Sequence, residues 1–337
     1  MLNLIGKWRL KKHLQRVRIL GLTVLFLSCP SVGQDKKEPV PVTSSRSFQL
    51  TGYAQGIYSY FDKGTDTFVI RRARIALTGD LTKSIKLKLQ VDAVRNPVLV
   101  DAQIDVSFKP YFNLRIGQFY LPFSRENRTS AGDLDTVLRA QVVERLGPGR
   151  DIGSLGRDIG VMVLGKASVV EYMVGVFNGV GINKLDTNEH KDFAARAVVG
   201  PAKFFSIGGS VYKGRYNSAQ GDPEVTRDRA GLEALLTLGS FSFRGEYIAG
   251  KDGLVSRSGW FLQGLYNVLP KKLQAVVKWD SYDQDRDAPD DRSDLLTIGC
   301  NCFFSERTKL MANYVHYGRE TEGTTNWALI LQFQAGF

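Results

Sequence analysis

From about residue 47 to the C-terminus the chain alternates apolar and polar side chains with a period of two. Ile85, Leu87, Leu89 and Val91 share one face of a segment whose other face carries Lys86, Lys88 and Gln90. Val100, Ala102, Ile104, Val106 and Phe108 oppose Asp101, Gln103, Asp105 and Ser107, and the final segment sets Trp327, Leu329, Leu331, Phe333, Ala335 and Phe337 against Asn326, Gln332 and Gln334. Because successive side chains of a strand point to opposite faces, each such segment is a β-strand with one apolar and one polar face.

A soluble sandwich and a membrane barrel both alternate, so turn spacing has to separate them. Short turn signals recur at Gly79-Asp80, Lys109-Pro110, Gly165-Lys166, Gly200-Pro201, Gly239-Ser240, Leu269-Pro270 and Ser305-Glu306. All but one of the intervals that they define are about 29 to 38 residues, room for two strands and a longer loop. The opposite connections, Asn178 to Glu189, Gly214 to Arg227, Tyr282 to Arg292 and Tyr317 to Thr325, are longer and polar. Short turns at one end and long polar loops at the other describe an outer-membrane barrel with periplasmic turns and external loops. Seven turns join eight hairpins, which predicts an all-β, 16-stranded antiparallel transmembrane β-barrel over residues 47–337. Lipid leaves no partner for an open sheet edge, so the barrel must close, and at this strand number its interior stays a water-filled channel. Aromatics near strand ends, Tyr58, Tyr60, Phe108, Tyr111, Phe112, Tyr120, Trp260, Trp279, Trp327 and Phe337, suit the interfacial girdles.

No apolar run approaches the roughly 18 residues of a membrane helix. The N-terminus reads differently from the rest. Lys7, Arg9, Lys11, Lys12, Arg16 and Arg18 precede an apolar stretch from Ile19 to Leu27 and small residues around Gly33, which predicts a signal peptide over residues 1–34 with cleavage near Gly33 or Gln34. A second reading makes Cys29 an acylated N-terminus after Leu27-Ser28. Residues 35–46, polar and proline-containing, form a short periplasmic tail. Without the six cations of the leader, 39 basic residues face 34 acidic ones, a net charge of only +5, so nucleic acid is not an expected partner.

One interval breaks the rhythm. Lys109-Pro110 and Gly165-Lys166 stand some 55 residues apart, and the surplus is a loop over residues 121–157. Loops of this length are uncommon unless functional. It carries Arg125, Arg128, Arg139, Arg145, Arg150 and Arg157, with Glu126, Asp133, Asp135, Glu144 and Asp151 as counter-charges. Folded inward it would narrow the channel. Guanidinium groups stay charged and present a planar fork of donors, so they suit phosphate or carboxylate, although acid partners could equally hold them as scaffolding.

Three segments carry a family resemblance: Phe68-Val-Ile-Arg-Arg-Ala-Arg-Ile75, Leu114-Arg-Ile-Gly-Gln-Phe-Tyr-Leu-Pro-Phe-Ser124, and Pro148-Gly-Arg-Asp-Ile-Gly153 echoed by Gly156-Arg-Asp-Ile-Gly160. They resemble the phosphate-selective porin O and P family. The resemblance implies a trimeric outer-membrane porin with an arginine-lined constriction that favours phosphate or larger anions, and it assigns Arg71 and Arg72 to that constriction. Strand parity sends Arg72 and Arg74 to the lumen and puts Arg71 on the apolar face, at the rim. Parity adds Lys86, Lys88, Arg115, Arg196, Arg229 and Arg244 as lumen cations, and Asp92, Asp101, Asp105, Glu171, Glu233 and Glu246 as lumen acids. The expected partners are small anionic solutes, phosphate among them, outer-membrane lipids and two further copies of the chain; a non-selective porin or an adhesin-like scaffold is the alternative.

Enzyme chemistry is not expected. Beyond the leader the histidines are His190, in a predicted external loop, and His316, near the outer end of a strand, and no nucleophile elbow accompanies them. Cys300 and Cys302 share the lipid-facing side with Ile298 and lack a second ligand pair, so neither a metal nor a cofactor is expected.

Overall fold

A computed structural model describes residues 48–217, 223–318 and 325–337. The predicted leader, the tail and Cys29 lie outside the described residues. Sixteen strands occur among the described residues: β1 (Phe48–Phe61), β2 (Thr67–Asp80), β3 (Ile85–Asp92), β4 (Leu99–Lys109), β5 (Phe112–Tyr120), β6 (Arg157–Ala167), β7 (Val170–Phe177) and β8 (Asp192–Ala202) make the first half. β9 (Phe205–Tyr216), β10 (Val225–Leu238), β11 (Phe241–Asp252), β12 (Val255–Leu269), β13 (Leu273–Asp283), β14 (Ser293–Phe303), β15 (Lys309–Tyr317) and β16 (Trp327–Gly336) make the second. Each pairs antiparallel with its neighbours in sequence, and β1 closes the barrel against β16 with Ile57 opposite Gln332.

The alternation that defines the strands sorts side chains between two solvents. On β16, Leu329, Leu331 and Phe333 are exposed outward, whereas Ala328, Ile330, Gln332 and Gln334 are buried inside. On β11, Phe241, Phe243 and Tyr247 face out while Glu246 and Ile248 are buried. A one-residue slip would exchange the two sets, which is why the register is unambiguous.

Two turns lie downstream of their sequence signals. Gly165-Lys166 belongs to β6 and Gly200-Pro201 to β8, and the chain reverses instead at Ser168-Val169 and Lys203-Phe204. A Cβ on Gly165 would stand 2.2 Å from the Tyr111 carbonyl oxygen, so this glycine serves close strand approach, not reversal. Pro201 is accommodated because the β8–β9 register shifts between Val199 and Ala202, an irregularity that needs no N–H at that point. The outer connections are also uneven: Gly253-Leu254 joins β11 to β12 as tightly as any inner turn, with Gly253 at φ 59°.

Residues 121–156 form the long loop between β5 and β6, and they run inside the barrel. Arg157, the last residue of the predicted loop, begins β6. The loop contains helices α1 (Arg125–Arg128) and α2 (Gln141–Leu146), with a 3-10 turn at Ala131–Asp133 between them. Ser124 caps α1 by accepting from the Asn127 N–H. Helices this short do not persist on their own, so packing holds them. Phe123, Val142, Val143 and Leu146 join wall residues Phe119, Met162, Phe177, Ile248 and Phe261 in one fully buried cluster, and Val137 joins Ile57, Met311, Val315 and Ile330 in another. At roughly 1.5–3 kcal/mol per buried large side chain, these two cores fasten the loop to the wall.

Candidate functional site: an arginine-rich constriction

Wall side chains grip the backbone of residues 131–138 almost residue by residue. The Gln55 and Gln334 amides donate to the carbonyls of Ala131 (3.3 Å) and Gly132 (3.2 Å), Lys309 Nζ to Leu134 (2.7 Å), Asn301 to Asp135 (2.8 Å) and Lys278 Nζ to Leu138 (2.7 Å). Asn313 accepts from the Val137 N–H at 2.7 Å. Sequence reading missed these residues, because a lumen-facing Lys or Asn looks the same whether it meets water or a loop. Deeper in the loop, Asp151 takes bonds from Arg227 (2.9 Å) and Arg229 (3.1 Å) on β10. Together these contacts hold the loop against the wall at β10 and from β13 around to β1.

Arginines then fall into two classes. Several of the predicted site residues are bound to acids. Arg74 donates to Asp92 at 2.8 Å, Arg115 grips Asp105 with two bonds of 2.5 and 3.0 Å, and Arg157 reaches Asp101 at 2.5 Å. Asp101 also receives Lys88 at 2.8 Å. Arg157 lies 3.6 Å from the centroid of the Tyr120 ring, so Tyr120 supports the loop base and does not belong to a girdle. Arg125 sits 3.4 Å from Glu233, whose carboxylate is already held by Arg196. Arg139 donates to the carbonyls of Glu126 and Thr129, and Arg150 to that of Asn127 at 2.8 Å. Arg139 and Arg150 stand 3.6 and 3.4 Å from the exposed Glu144. Arg244 pairs with Asp135 at 2.6 Å. Lys86 and Glu171 pair with Asp80 and Lys166 at the inner turns.

Four of the predicted site residues form the second class, with no carboxylate within ion-pair distance among the described residues: Arg71, Arg72, Arg128 and Arg145. Arg71 corrects the parity argument. The β1–β2 register jumps between Gln55 and Gly56, so Gln55 pairs with Arg72 and Gly56 with Ile70, and Arg71 is the extra residue of a β-bulge. The bulge turns Arg71 inward instead of to the rim, where it donates to the Val137 carbonyl at 2.7 Å. Arg72 reaches only the Gln55 side-chain oxygen, at 2.9 Å. Adjacent residues of one strand thus present two guanidiniums to the lumen. Arg128, on α1, has a buried Nε without a partner. Burial and the nearby Arg196 and Arg115 push its guanidinium down to about 10, which leaves it fully charged at neutral pH. Arg145 is exposed at the end of α2, on the outer side of the loop.

A model of the family described as phosphate-selective porin O and P matches residues 48–222, just over half of the chain. The chain belongs to that family. The porin is therefore a protein of the bacterial outer membrane, and its fold matches solved proteins of that membrane. OmpT of Vibrio cholerae superposes with a TM-score of 0.65 at 12% identity, over 89% of this chain and 100% of that one. The outer membrane channel DcaP of Acinetobacter baumannii gives 0.65 at 13% identity over 89% and 99%. Salmonella typhi OmpF, in a complex with daunomycin, gives 0.68 at 7% identity over 87% and 98%. At such identities the likeness concerns the fold alone. No curated protein matched the sequence significantly. In this porin the family pattern Arg71-Arg72 coincides with the bulge, and the Pro148–Gly153 segment contributes Arg150 and Asp151, the loop's contacts to α1 and β10.

Proposed function

We propose that the porin conducts small anions, phosphate among them, past a constriction whose selectivity comes from Arg71, Arg72 and Arg128. The observation that carries this reading is the pair Arg71, turned inward by the bulge, and Arg72, inward by parity, neither with a carboxylate in ion-pair range among the described residues. Arg74, Arg115, Arg157, Arg196 and Arg229 are matched by acids, so their fields cancel at short range. Uncompensated guanidiniums raise the local anion concentration, and their single neutral hydrogen bonds leave donors free for a passing oxyanion. The family description supports phosphate as the natural solute.

The zero-current potential across a planar bilayer under a tenfold KCl gradient tests this. An anion-selective sign is expected at neutral pH, where guanidiniums hold their charge. A cation-selective sign would refute the reading.

We propose also that the porin works as a trimer. One solved relative is described as a trimer form of Vibrio cholerae OmpT. On this chain the lipid-facing side of β1, β2, β15 and β16 offers an apolar hollow lined by Tyr58, Phe68, Ile70, Leu310, Leu331 and Phe333, into which a neighbouring barrel could pack. Native mass spectrometry in mild detergent is expected to give three chains per particle, and Ile70→Arg to reduce this to one. A monomeric wild type would end the proposal.

A further inference from the structure

On the outer side of the constriction, where α2 meets the outer ends of β12 and β13, a cavity of about 450 Å³ opens between loop and wall. Its lining is polar and its charges are unevenly spent. Asp151 is committed to Arg227 and Arg229. Arg257, third residue of β12, has only a loose ion pair, its Nε 3.5 Å from an Asp252 that Arg229 already holds at 2.6 Å. The Arg150 side chain is only 3% exposed, and its Nε lacks a partner. Arg145 has no acid within ion-pair range among the described residues. Among the cavity's lining, three arginines stand beside Asp151, spent on β10, and the exposed Glu144, which Arg150 and Arg139 already share at 3.4 and 3.6 Å. Tyr282 and Gln284 line the same space and add a ring and an amide.

Size and chemistry point to one class of ligand. The volume falls within the ~300–1,000 Å³ typical of small-molecule sites and is far larger than a bare oxyanion needs. Guanidiniums suit a phosphate or carboxylate head, and Glu144, Gln284 and the Tyr282 ring suit the hydroxyls and the flat carbon face of a sugar. We propose that this cavity is an outer docking site for anionic sugars, a hexose phosphate or a uronic acid, which it holds before they reach the constriction. The proposal deepens the anion-channel reading but rests on separate residues.

The test uses the full-length porin in planar bilayers, with glucose 6-phosphate or inorganic phosphate added to one side at a time and the zero-current potential recorded on the same channels. Glucose 6-phosphate added from the loop side is expected to block current at about tenfold lower concentration than inorganic phosphate, and Arg257→Gln is expected to remove that advantage, as loss of one charge-assisted contact would. Tyr282→Phe, which keeps the ring in its packed position, is expected to retain most of it, whereas Tyr282→Ala is not. Equal block by the two anions, or an advantage that survives Arg257→Gln, overturns the docking site whatever the selectivity. A cation-selective potential with the sugar phosphate block intact would overturn the constriction reading and leave the docking site standing.

Discussion

Replacing Arg71 and Arg72 together with glutamine is expected to lower the anion-to-cation permeability ratio of the channel by about tenfold, while each single variant lowers it less. Both side chains point into the lumen, and neither has a carboxylate within ion-pair distance among the described residues. A unit charge about 4 Å from a passing ion is worth ~4 kcal/mol at a surface-like dielectric, and salt screening reduces that severalfold. Each ~1.4 kcal/mol left is a tenfold change in the ratio. Glutamine keeps a donor for the Val137 carbonyl, so the loop stays attached and the change reports charge. Reversal potentials in KCl gradients measure it directly. The paired arginines give the control: Arg115→Gln together with Asp105→Asn removes a cation and its acid at once, and the ratio should hardly move. Equal effects of the two double variants would show that total lumen charge, not the unpaired cations, sets selectivity.

Asp151→Ala is expected to lower the stability of the folded porin by about 3 kcal/mol, the largest loss among the loop's single contacts. Its carboxylate lies between Arg227 and Arg229, whose side chains are 5% and 1% exposed. Removing one member of a buried ion pair leaves its partner's charge uncompensated, at a cost of roughly 3–5 kcal/mol. Arg229 keeps Asp252 at 2.6 Å, which limits the loss to the lower end. Urea midpoints in detergent, followed by tryptophan fluorescence, measure it. Asp186→Ala provides the comparison, because its partner Lys191 is half exposed and such surface pairs contribute ~0–1 kcal/mol. Similar midpoints for the two variants would mean that the Asp151 contacts do not anchor the loop. The same loss should appear as noisier open-channel current, since the segment that it frees bounds the outer cavity.

How much of this was legible in the residues depends on range. Strand count, face assignment and the position of the long loop were all readable, because each reflects a local rule: a period of two where two solvents meet, and a short turn every second strand. Turn positions were readable only to within a few residues. Gly165 and Pro201 carry strong turn signals, yet a close approach to Tyr111 and a register irregularity account for them. Both causes lie in neighbouring strands, which no local window contains.

The site was legible as composition and not as geometry. Arg74, Arg115 and Arg157 look like Arg71, Arg72 and Arg128 in one dimension. What separates them is whether an acid stands opposite, and the partners are as far as 56 residues away in sequence, as with Arg157 and Asp101. The inward turn of Arg71 defeats parity, because one extra residue in β2 reverses the count on one side of the bulge. The Lys278, Lys309, Asn301 and Asn313 contacts depend on where the loop lies once it is inside.

By itself, then, the order of residues determined a closed sixteen-stranded barrel, since alternation repeated at hairpin spacing has no other way to satisfy its backbone beside lipid. It also determined that one arginine-rich loop interrupts the rhythm. Only the tertiary structure decided which arginines keep an unspent charge, because neutralisation is a matter of a few ångströms across strands, and those distances exist only after the barrel has closed and the loop has packed against its wall.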